Sequence, residues 1–302
     1  MIEKKTILVT GAGGQLGNEM QVISSAYTEY YFLFVTKEDL AIDDTVAVKK
    51  YFAGHTIDYC VNCAAYTAVD KAETEKEKAY QVNAEAVGNL AMVCREYSAT
   101  FIHISTDYVF DGTATVPYKE DHPTSPVNLY GASKLKGEAL AMQNNPHSII
   151  ILTSWVYAAF GNNFVKTMLR LMSERESINV VSDQQGCPTY AADLAAAIMQ
   201  IIIQIRQSPA ILNNSLSPSA IFNYSNTGAT NWHEFAMAIK EISRSKCIVN
   251  PIPALQYPTP AKRPQYSVMD TTKIRQTFNL AIPEWKDSLE KCLKILKVKG
   301  EW

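Results

Sequence analysis

The sequence predicts an α/β fold, in which a doubly wound parallel sheet is followed by a smaller C-terminal α/β lobe. Three observations lead to this prediction. Hydrophobic strand-like segments alternate with helical segments as far as about residue 155, a pattern typical of parallel sheets. A glycine-rich run separates the first strand from the first helix. Polar residues follow several strands, at the edge where such sheets bind ligands.

Each element is predicted from its hydrophobic period and its turn residues. Strands are predicted at 6–10, 31–35, 57–63, 100–105 and 149–153, and helices at 17–26, 44–53, 76–97 and 128–142. Later in the chain we predict helices near 164–175, 191–206, 232–244 and 284–297, a strand near 178–181, a surface loop over 207–219 and an extended proline-rich stretch over 251–264.

Composition excludes several classes of protein. The chain has 302 residues and a net charge of −2, which argues against a nucleic-acid-binding surface. Its longest apolar stretch, 194–205, is too short to span a bilayer, and the N-terminus lacks a signal-peptide pattern. Six cysteines do not suggest a disulfide scaffold. Cys60 and Cys63 should face opposite sides of one strand, which argues against zinc. We therefore expect a cytoplasmic protein.

The run Gly11 to Gly17 follows the first strand and opens a helix. Strand, glycine turn and helix together are the context of a dinucleotide-binding fingerprint. Gly11 would allow the tight turn, and Gly14 would let a pyrophosphate approach the helix N-terminus. Gly17 would let helix and strand pack closely. We accordingly predict a Rossmann-type dinucleotide-binding domain over 1–155, with returning segments near 180–226, and mainly a substrate-binding lobe over 156–302.

Tyr130 and Lys134 are four residues apart on a predicted helix, so their side chains share one face. An ammonium group beside a phenol should lower the pKa of the phenol, and such a phenol can exchange protons with an alkoxide. Ser105 and Thr106 end a predicted strand, where one hydroxyl can bond a substrate oxygen. We favour Thr106 for the substrate, and Ser105 for the cofactor or the strand end. Together these residues suggest hydride transfer with a nicotinamide cofactor.

The combination of Gly11-x-x-Gly14-x-x-Gly17 with Tyr130-x-x-x-Lys134 resembles the extended short-chain dehydrogenase/reductase superfamily. The narrower resemblance is to the family of dTDP-4-dehydrorhamnose reductases. It is carried by the runs Ala64 to Glu73, Ser105 to Gly112, Asn162-Asn163-Phe164, Asp183-Gln184-x-Gly186-x-Pro188-Thr189 and Arg263-Pro264.

This resemblance implies NAD(P)H-dependent reduction of the 4-keto group of dTDP-4-dehydro-L-rhamnose to dTDP-L-rhamnose, a nucleotide sugar for cell-surface polysaccharide. It implies catalysis by Thr106, Tyr130 and Lys134. The cofactor would contact Gly11, Gly14, Gln15, Leu16, Gly17, Ile42, Ala64, Ala65, Tyr66, Ser105, Tyr130 and Lys134. The substrate would contact Val69, Thr106, Asp107, Tyr108, Val109, Phe110 and Trp155, and we add Arg263 as a candidate for its diphosphate.

Our predictions of the cofactor and of metal binding follow from positions at which this sequence departs from the family pattern. Ala41 precedes Ile42 where an acidic residue is common, and Lys37 follows the second strand. Without a carboxylate to repel a 2′-phosphate, we predict NADPH, with NADH possible. Some members are dimers that hold Mg²⁺ through glutamates. Glu19 fits one such position, but Tyr190 stands at another, so Mg²⁺ is doubtful and the chain is expected to be a monomer or homodimer.

Two alternatives stay open. A non-catalytic regulatory or binding subunit of the same fold resembles these reductases, although Thr106, Tyr130 and Lys134 are all present here. A different sugar-nucleotide 4-ketoreductase would carry the same site. Related dehydratases have a glutamate after the aspartate, whereas Tyr108 follows Asp107 in this chain.

Overall fold

A central parallel sheet organises the chain in the computed structural model, which describes residues 4–209, 211 and 220–302. Its strands and the short ones outside it are β1 (Lys5–Thr10), β2 (Tyr30–Val35), β3 (Tyr59–Asn62), β4 (Thr100–Thr106), β5 (Ile149–Thr153), β6 (Val156–Tyr157), β7 (Ser177–Val181), β8 (Gln185–Gly186), β9 (Thr189–Tyr190), β10 (Ile221–Asn223), β11 (Thr230–Asn231) and β12 (Ile248–Ile252).

The central sheet has six strands in the order β10-β5-β4-β3-β1-β2, and every pairing in it is parallel. The remaining strands form three two-stranded pairs, β11 with β8, β12 with β7 and β6 with β9. The predicted Rossmann-type sheet is confirmed. Because parallel strands end at the same edge, the residues that follow β1, β3, β4 and β5 converge on one crevice.

Helices cover both faces of the sheet and build the lobe. They are α1 (Gln15–Ser24), α2 (Thr45–Gly54), α3 (Val69–Ala72), α4 (Lys76–Tyr80), α5 (Ala86–Glu96), α6 (Leu129–Asn144), α7 (Phe164–Glu174), α8 (Ala191–Gln207), α9 (Trp232–Ser243), α10 (Thr272–Phe278) and α11 (Trp285–Val298). None of the helices in the described ranges is long and apolar enough to cross a membrane.

Alternating strand residues divide the core into two layers. Ile7 and Val9 of β1 pack with α1, α8 and α10 on one face of the sheet. Leu8, between them, packs with α2, α5 and α6 on the other face. A third core joins α7, α9 and α11 around Phe235 and Trp285 in the lobe. The doubly wound arrangement thus follows from the period of two along buried strands.

Most predicted elements lie within two residues of those observed, and the differences have physical causes. The strand β10 was not predicted as a separate element, although it pairs with β5. Its three residues are too few to show a period. The strand β12 contains Pro251, which argues against a strand except at an edge, and β12 pairs with β7 alone. Most of the predicted loop over 207–219 lies outside the described residues.

The helices α4 and α5 are continuous with each other through a π-helical turn, Gln81–Glu85. Such a turn holds an extra residue and is frequent near functional sites. Asn83 lies in this turn and is fully buried. Its amide accepts from Tyr66 N at 2.8 Å, and donates to Tyr66 O and to the Ser133 hydroxyl at 3.0 Å each. The turn therefore ties the segment after β3 to the helix α6.

Gly137 of α6 packs directly on this π-helical turn. A Cβ at residue 137 would collide with the carbonyl oxygen of Asn83, whereas a Cβ at Gly54 would meet no atom. We predict that Gly137→Ala lowers the free energy of unfolding by about 1–3 kcal/mol because the backbone must move. The matched control Gly54→Ala should not destabilise, since alanine is the better helix former. Urea unfolding measures both, and equal stability of the two variants would contradict the close contact.

Candidate active site

A cavity of about 810 Å³ lies at the carboxyl edge of the sheet and extends from the glycine turn to Lys134. The residues predicted from the sequence that line it are Gly11, Gly14, Gln15, Leu16, Ile42, Ala64, Ala65, Tyr66, Val69, Ser105, Thr106, Asp107, Tyr108, Tyr130, Lys134 and Trp155. A cavity of similar size, about 870 Å³, lies between α7 and the C-terminal residues and is lined by none of these.

The glycine turn is tight because backbone segments meet there. Gly11 has a φ of +65°, and a Cβ on it would lie 2.6 Å from the backbone nitrogen of Ala64. A Cβ on Gly17 would collide with the Gly11 carbonyl oxygen. Gly14 precedes α1 and offers no side-chain cap, so the first N–H groups of the helix stay available to an anion. This cradle fits the pyrophosphate of a dinucleotide.

The N-terminus of α6 is fixed from two sides, and this positions Tyr130. Asn128 caps the helix, its Oδ1 accepting from Gly131 N at 2.8 Å. The same side chain donates from Nδ2 to the Lys262 carbonyl oxygen at 2.8 Å. Leu129 N donates to Oε1 of Glu73 at 2.8 Å. The helix that carries Tyr130 is therefore bonded both to α3 and to the C-terminal proline-rich segment.

Lys134 is almost fully buried and points toward β4. Its Nζ lies 2.7 Å from the Ile104 carbonyl oxygen and 3.2 Å from Nε2 of His103. Burial lowers the pKa of Lys134 to about 8, although Glu138 and Cys63 act in the opposite direction. Burial also keeps the pKa of His103 well below its usual value. Neutral pH thus lies close to the pKa of the Lys134 ammonium.

The expected effect of Lys134 on Tyr130 is wrong for this structure. Burial raises the pKa of Tyr130 to about 12, partly offset by a hydrogen-bonding interaction with the Thr106 side chain. Lys134 does not contribute, because its Nζ is directed to β4. The consequence suits a reductase, since a phenol that holds its proton at neutral pH is ready to donate it.

The two hydroxyls at the end of β4 have different surroundings. Ser105 donates to Oε1 of the buried Glu138, and burial raises the pKa of that carboxyl to about 7. Thr106 donates from Oγ1 to Oδ1 of Asp107 at 3.0 Å, and Tyr108 N donates back to Thr106 Oγ1 at 3.3 Å. Both residues line the cavity, and Thr106 is the one that interacts with Tyr130.

Four predicted site residues are not on the cavity wall. Val109 and Phe110 are fully buried in the core beside α5, because the short 3-10 turn after β4 directs them inward. Their expected contact with a sugar is therefore corrected. Gly17 contacts the glycine turn instead of the cavity. Arg263 forms a bidentate ion pair with Asp70, from Nη1 to Oδ1 at 2.5 Å and from Nη2 to Oδ2 at 2.7 Å. Its guanidinium therefore already has an anionic partner.

Trp155 is held in an unusual conformation at the lobe side of the cavity. Its φ of +46° is rare for a residue with a side chain. The indole stacks on Trp232 with ring centroids 3.5 Å apart, and a Cβ on Gly186 would lie 2.6 Å from Trp155 Cε2. Both indoles line the cavity. The sequence analysis missed Trp232, whose position directly after the helix-capping Asn231 gives no sign of the stacking.

The far end of the cavity contains Lys37, Leu40, Ile42 and Asp43, of which only Ile42 was predicted as a contact. The nearby carboxylate of Asp39 does not line this cavity. Its Oδ2 accepts from the Thr36 amide at 2.9 Å and from the Thr36 hydroxyl at 2.8 Å. Lys37 and Asp43 are therefore the charged side chains that follow β2 on the cavity wall, and Lys37 is the cation of the two.

Glu19, which marked a possible Mg²⁺ position, is buried beside α8 and α11. Its Oε1 has no hydrogen-bond partner in the described chain. Burial raises its pKa to about 7, with a smaller opposing effect of Lys299. Among the described residues, no group of three or more His, Cys, Asp or Glu side chains is placed to hold a metal ion.

Known proteins resemble this chain over nearly its whole length. Residues 5–298 match the family model of the RmlD substrate binding domain. A dTDP-4-dehydrorhamnose reductase of Sinorhizobium fredii is 39% identical over 299 residues, covering 98% of this chain and 99% of that protein. The crystal structure of a dTDP-4-dehydrorhamnose reductase from Clostridium acetobutylicum has a TM-score of 0.90 at 36% identity and covers 97% of this chain and 99% of that one.

A second solved structure bears on the cofactor. The dTDP-4-dehydrorhamnose reductase from Bacillus anthracis, in complex with NADP, has a TM-score of 0.88 at 37% identity, and covers 97% of this chain and 99% of that one. Similarity at this level over nearly the whole length includes both the sheet and the lobe.

The buried carboxyl of Glu19 makes stability depend on pH. Its folded-state pKa of about 7 exceeds the ordinary 4.5, so its contribution is full below about 4.5 and is lost as pH rises through 7. We predict that Glu19→Gln is more stable than the parent at pH 8, by on the order of 1–3 kcal/mol, with a smaller difference at pH 5. Urea unfolding at both values measures this.

Glu29→Gln is the matched control, since Glu29 is exposed. It should leave the stability unchanged at both pH values. A Glu19→Gln protein whose stability relative to the parent is the same at pH 5 and pH 8 would contradict the raised pKa.

Proposed function

This chain belongs to the RmlD substrate binding domain family, and on that premise we propose that it is a dTDP-4-dehydrorhamnose reductase. It reduces the 4-keto group of dTDP-4-dehydro-L-rhamnose with NADPH and yields dTDP-L-rhamnose. The observation that carries this proposal is the single cavity that joins the glycine turn to Thr106, Tyr130 and Lys134. A dinucleotide on the turn would place its nicotinamide end beside a proton donor.

The residues of the cavity would hold the cofactor, with the N-terminus of α1 binding its pyrophosphate and Ile42 contacting its adenosine end. Ala64, Ala65 and Tyr66 follow β3 along the middle of the cavity wall and would contact its central part. NADPH would supply the hydride that reduces the carbonyl carbon. Lys134 lines the same cavity and would donate hydrogen bonds to the nicotinamide ribose.

Tyr130 and Thr106 act on the carbonyl oxygen of the substrate. Tyr130 holds its proton at neutral pH, since burial raises its pKa to about 12, and passes it to the oxygen as negative charge develops there. Thr106 donates a hydrogen bond to the same oxygen and stabilises that charge. The sheet and the helix α6 hold both hydroxyls in place, so the site is organised before the substrate arrives.

The sugar nucleotide contacts the lobe side of the cavity. Val69, Tyr108 and Trp155 supply an apolar and aromatic wall, and Asp107 lies beside Thr106. Arg263 is close enough to Tyr108 to oppose the rise of its pKa, and is available to a diphosphate only if its ion pair with Asp70 opens. We keep the division into a dinucleotide-binding domain over 1–155 and a substrate lobe over 156–302 as part of this proposal.

The cellular location and the oligomeric state are also part of this proposal. A nucleotide sugar carries a charged diphosphate, which does not cross a bilayer readily, and on that basis we propose that this enzyme works in the cytoplasm. The monomer and the homodimer are both compatible with the cavity, because every residue proposed for catalysis comes from one chain.

We predict that the purified protein oxidises NADPH when dTDP-4-dehydro-L-rhamnose is added, as followed by the absorbance of the nicotinamide. Tyr130→Phe should lose on the order of 10²–10⁴ in rate while NADPH binding is mostly kept, because only the proton donor is removed. Other 4-keto deoxysugar nucleotides serve as controls for specificity. Tight binding of the ligands without NADPH oxidation would favour the regulatory alternative, and an unimpaired Tyr130→Phe would assign the proton donor elsewhere.

Cofactor preference should depend on Lys37. This side chain lines the adenosine end of the cavity, where a cation would attract the 2′-phosphate of NADPH. We predict that Lys37→Glu weakens NADPH binding at least about tenfold and leaves NADH binding much less affected. Lys50→Glu, a charge reversal at an exposed site on α2, is the matched control. Equal loss for both cofactors would contradict a role in recognising the phosphate.

A further inference from the structure

Thr106 has a single hydroxyl proton, and Asp107 and a substrate oxygen in the cavity would compete for it. In this structure the proton points to Oδ1 of Asp107, at 3.0 Å. The oxygen of Thr106 already accepts from Tyr108 N at 3.3 Å. A hydroxyl that donates to Asp107 cannot at the same time donate to a substrate oxygen in the cavity. The state of Asp107 therefore decides what Thr106 can do.

Asp107 lies in surroundings that favour its neutral form. It is 2% exposed, and its Oδ2 has no hydrogen-bond partner among the described residues. An ionised carboxylate normally accepts several hydrogen bonds, whereas the one hydrogen bond of normal geometry here comes from Thr106, and the Ser267 hydroxyl and the Tyr108 backbone N–H interact with the carboxyl only weakly. Burial raises its pKa to about 7, with smaller opposing effects of Ser267 and Thr106. Both forms of the carboxyl are thus accessible near neutral pH.

We propose that Asp107 is a positioning residue that orients the Thr106 hydroxyl, and that it does so in its protonated form. The protonated carboxyl donates to Thr106 Oγ1, and this frees the single proton of Thr106 to point at the carbonyl oxygen of the substrate. The ionised carboxylate instead accepts a hydrogen bond from Thr106, and the hydroxyl then no longer donates to the substrate. No bond to carbon forms or breaks at Asp107, and its own proton is not consumed. The proposal rests on the proposed reductase function.

The other groups that face Asp107 do not titrate in the same range. Burial raises the pKa of Tyr130 to about 12 and that of Cys187 to about 11, and raises that of Tyr108 further. No neighbouring charge contributes to the raised pKa of Asp107, and Arg263 acts on Tyr108 and is paired with Asp70. Glu138, with a pKa of about 7, and Lys134, with a pKa of about 8, titrate in the same site, so a change of activity near pH 7 is assigned to Asp107 only where a substitution at residue 107 removes it.

The amide of asparagine provides a sharp test, because its NH₂ group donates to Thr106 at every pH. The parent should lose kcat/KM roughly tenfold per pH unit above about pH 7, as the protonated fraction falls. Asp107→Asn should lack this component and keep only the loss due to Lys134, whose pKa of about 8 leaves roughly a quarter of it protonated at pH 8.5, so kcat/KM should fall only about fourfold between pH 6 and pH 8.5. The parent should fall on the order of 100-fold over the same range, because both groups titrate.

Three further variants separate orientation from other roles. Asp107→Leu neither donates to Thr106 nor accepts from it, so its profile should also lack the decline near pH 7, at a kcat/KM below that of Asp107→Asn because no donor orients the hydroxyl. In a Thr106→Val background the change Asp107→Asn should have no effect on the pH profile, because the hydroxyl to be oriented is gone. Asp121→Asn removes an exposed carboxylate outside the cavity and should keep the parental profile.

The outcomes distinguish this inference from the proposed function. If the parent protein does not oxidise NADPH with the 4-keto sugar nucleotide, the proposed reductase function itself is wrong. A parent that turns over, with Asp107→Asn showing the same alkaline decline, refutes the orientation of Thr106. A higher KM with an unaltered pH profile of kcat would mean that Asp107 only contacts the sugar, and would refute the inference as well.

Discussion

Lys134 is 1% exposed, and its Nζ can lie so deep only because it donates to the Ile104 carbonyl oxygen and lies beside His103. Removing water from an ionisable group disfavours its charged form, and this effect is the largest contribution to the pKa of Lys134, Tyr130, Asp107 and Glu138 alike. Burial thus shifts each of these groups toward its neutral form, although Lys134, with a pKa of about 8, stays mostly protonated at neutral pH. Their hydrogen-bond partners, more than their charges, determine how they act.

The same burial explains how much of the site could be predicted from the sequence. The glycine turn, the Tyr130 to Lys134 spacing and the hydroxyl at the end of β4 are local patterns, and all lie on one cavity. The direction of the Lys134 side chain is not local, because it depends on β4, which is some thirty residues away. The predicted lowering of the Tyr130 pKa was wrong for that reason. Val109 and Phe110 were misplaced because a 3-10 turn, invisible in the pattern, directs them to the core.

The fold was predictable to the extent that its elements are long and periodic. The five central strands have strong apolar runs, and their observed ends differ little from those predicted. The sixth strand, β10, has three residues and is recognised only through its pairing with β5. On one face of the sheet, α10 has seven residues and was also missed. Short elements are stabilised by the contacts that they make in the folded chain, and these contacts leave little trace in the sequence.

The π-helical turn between α4 and α5 has a consequence for how this segment can evolve. Removing any one residue between 81 and 85 would restore regular helical winding and rotate everything before the gap by about 100° relative to everything after it. Asn83 could then no longer reach both the backbone of Tyr66 and the hydroxyl of Ser133. Substitutions along this segment leave its winding intact, whereas a single-residue deletion does not. In this segment the number of residues is therefore as strongly constrained as their identity.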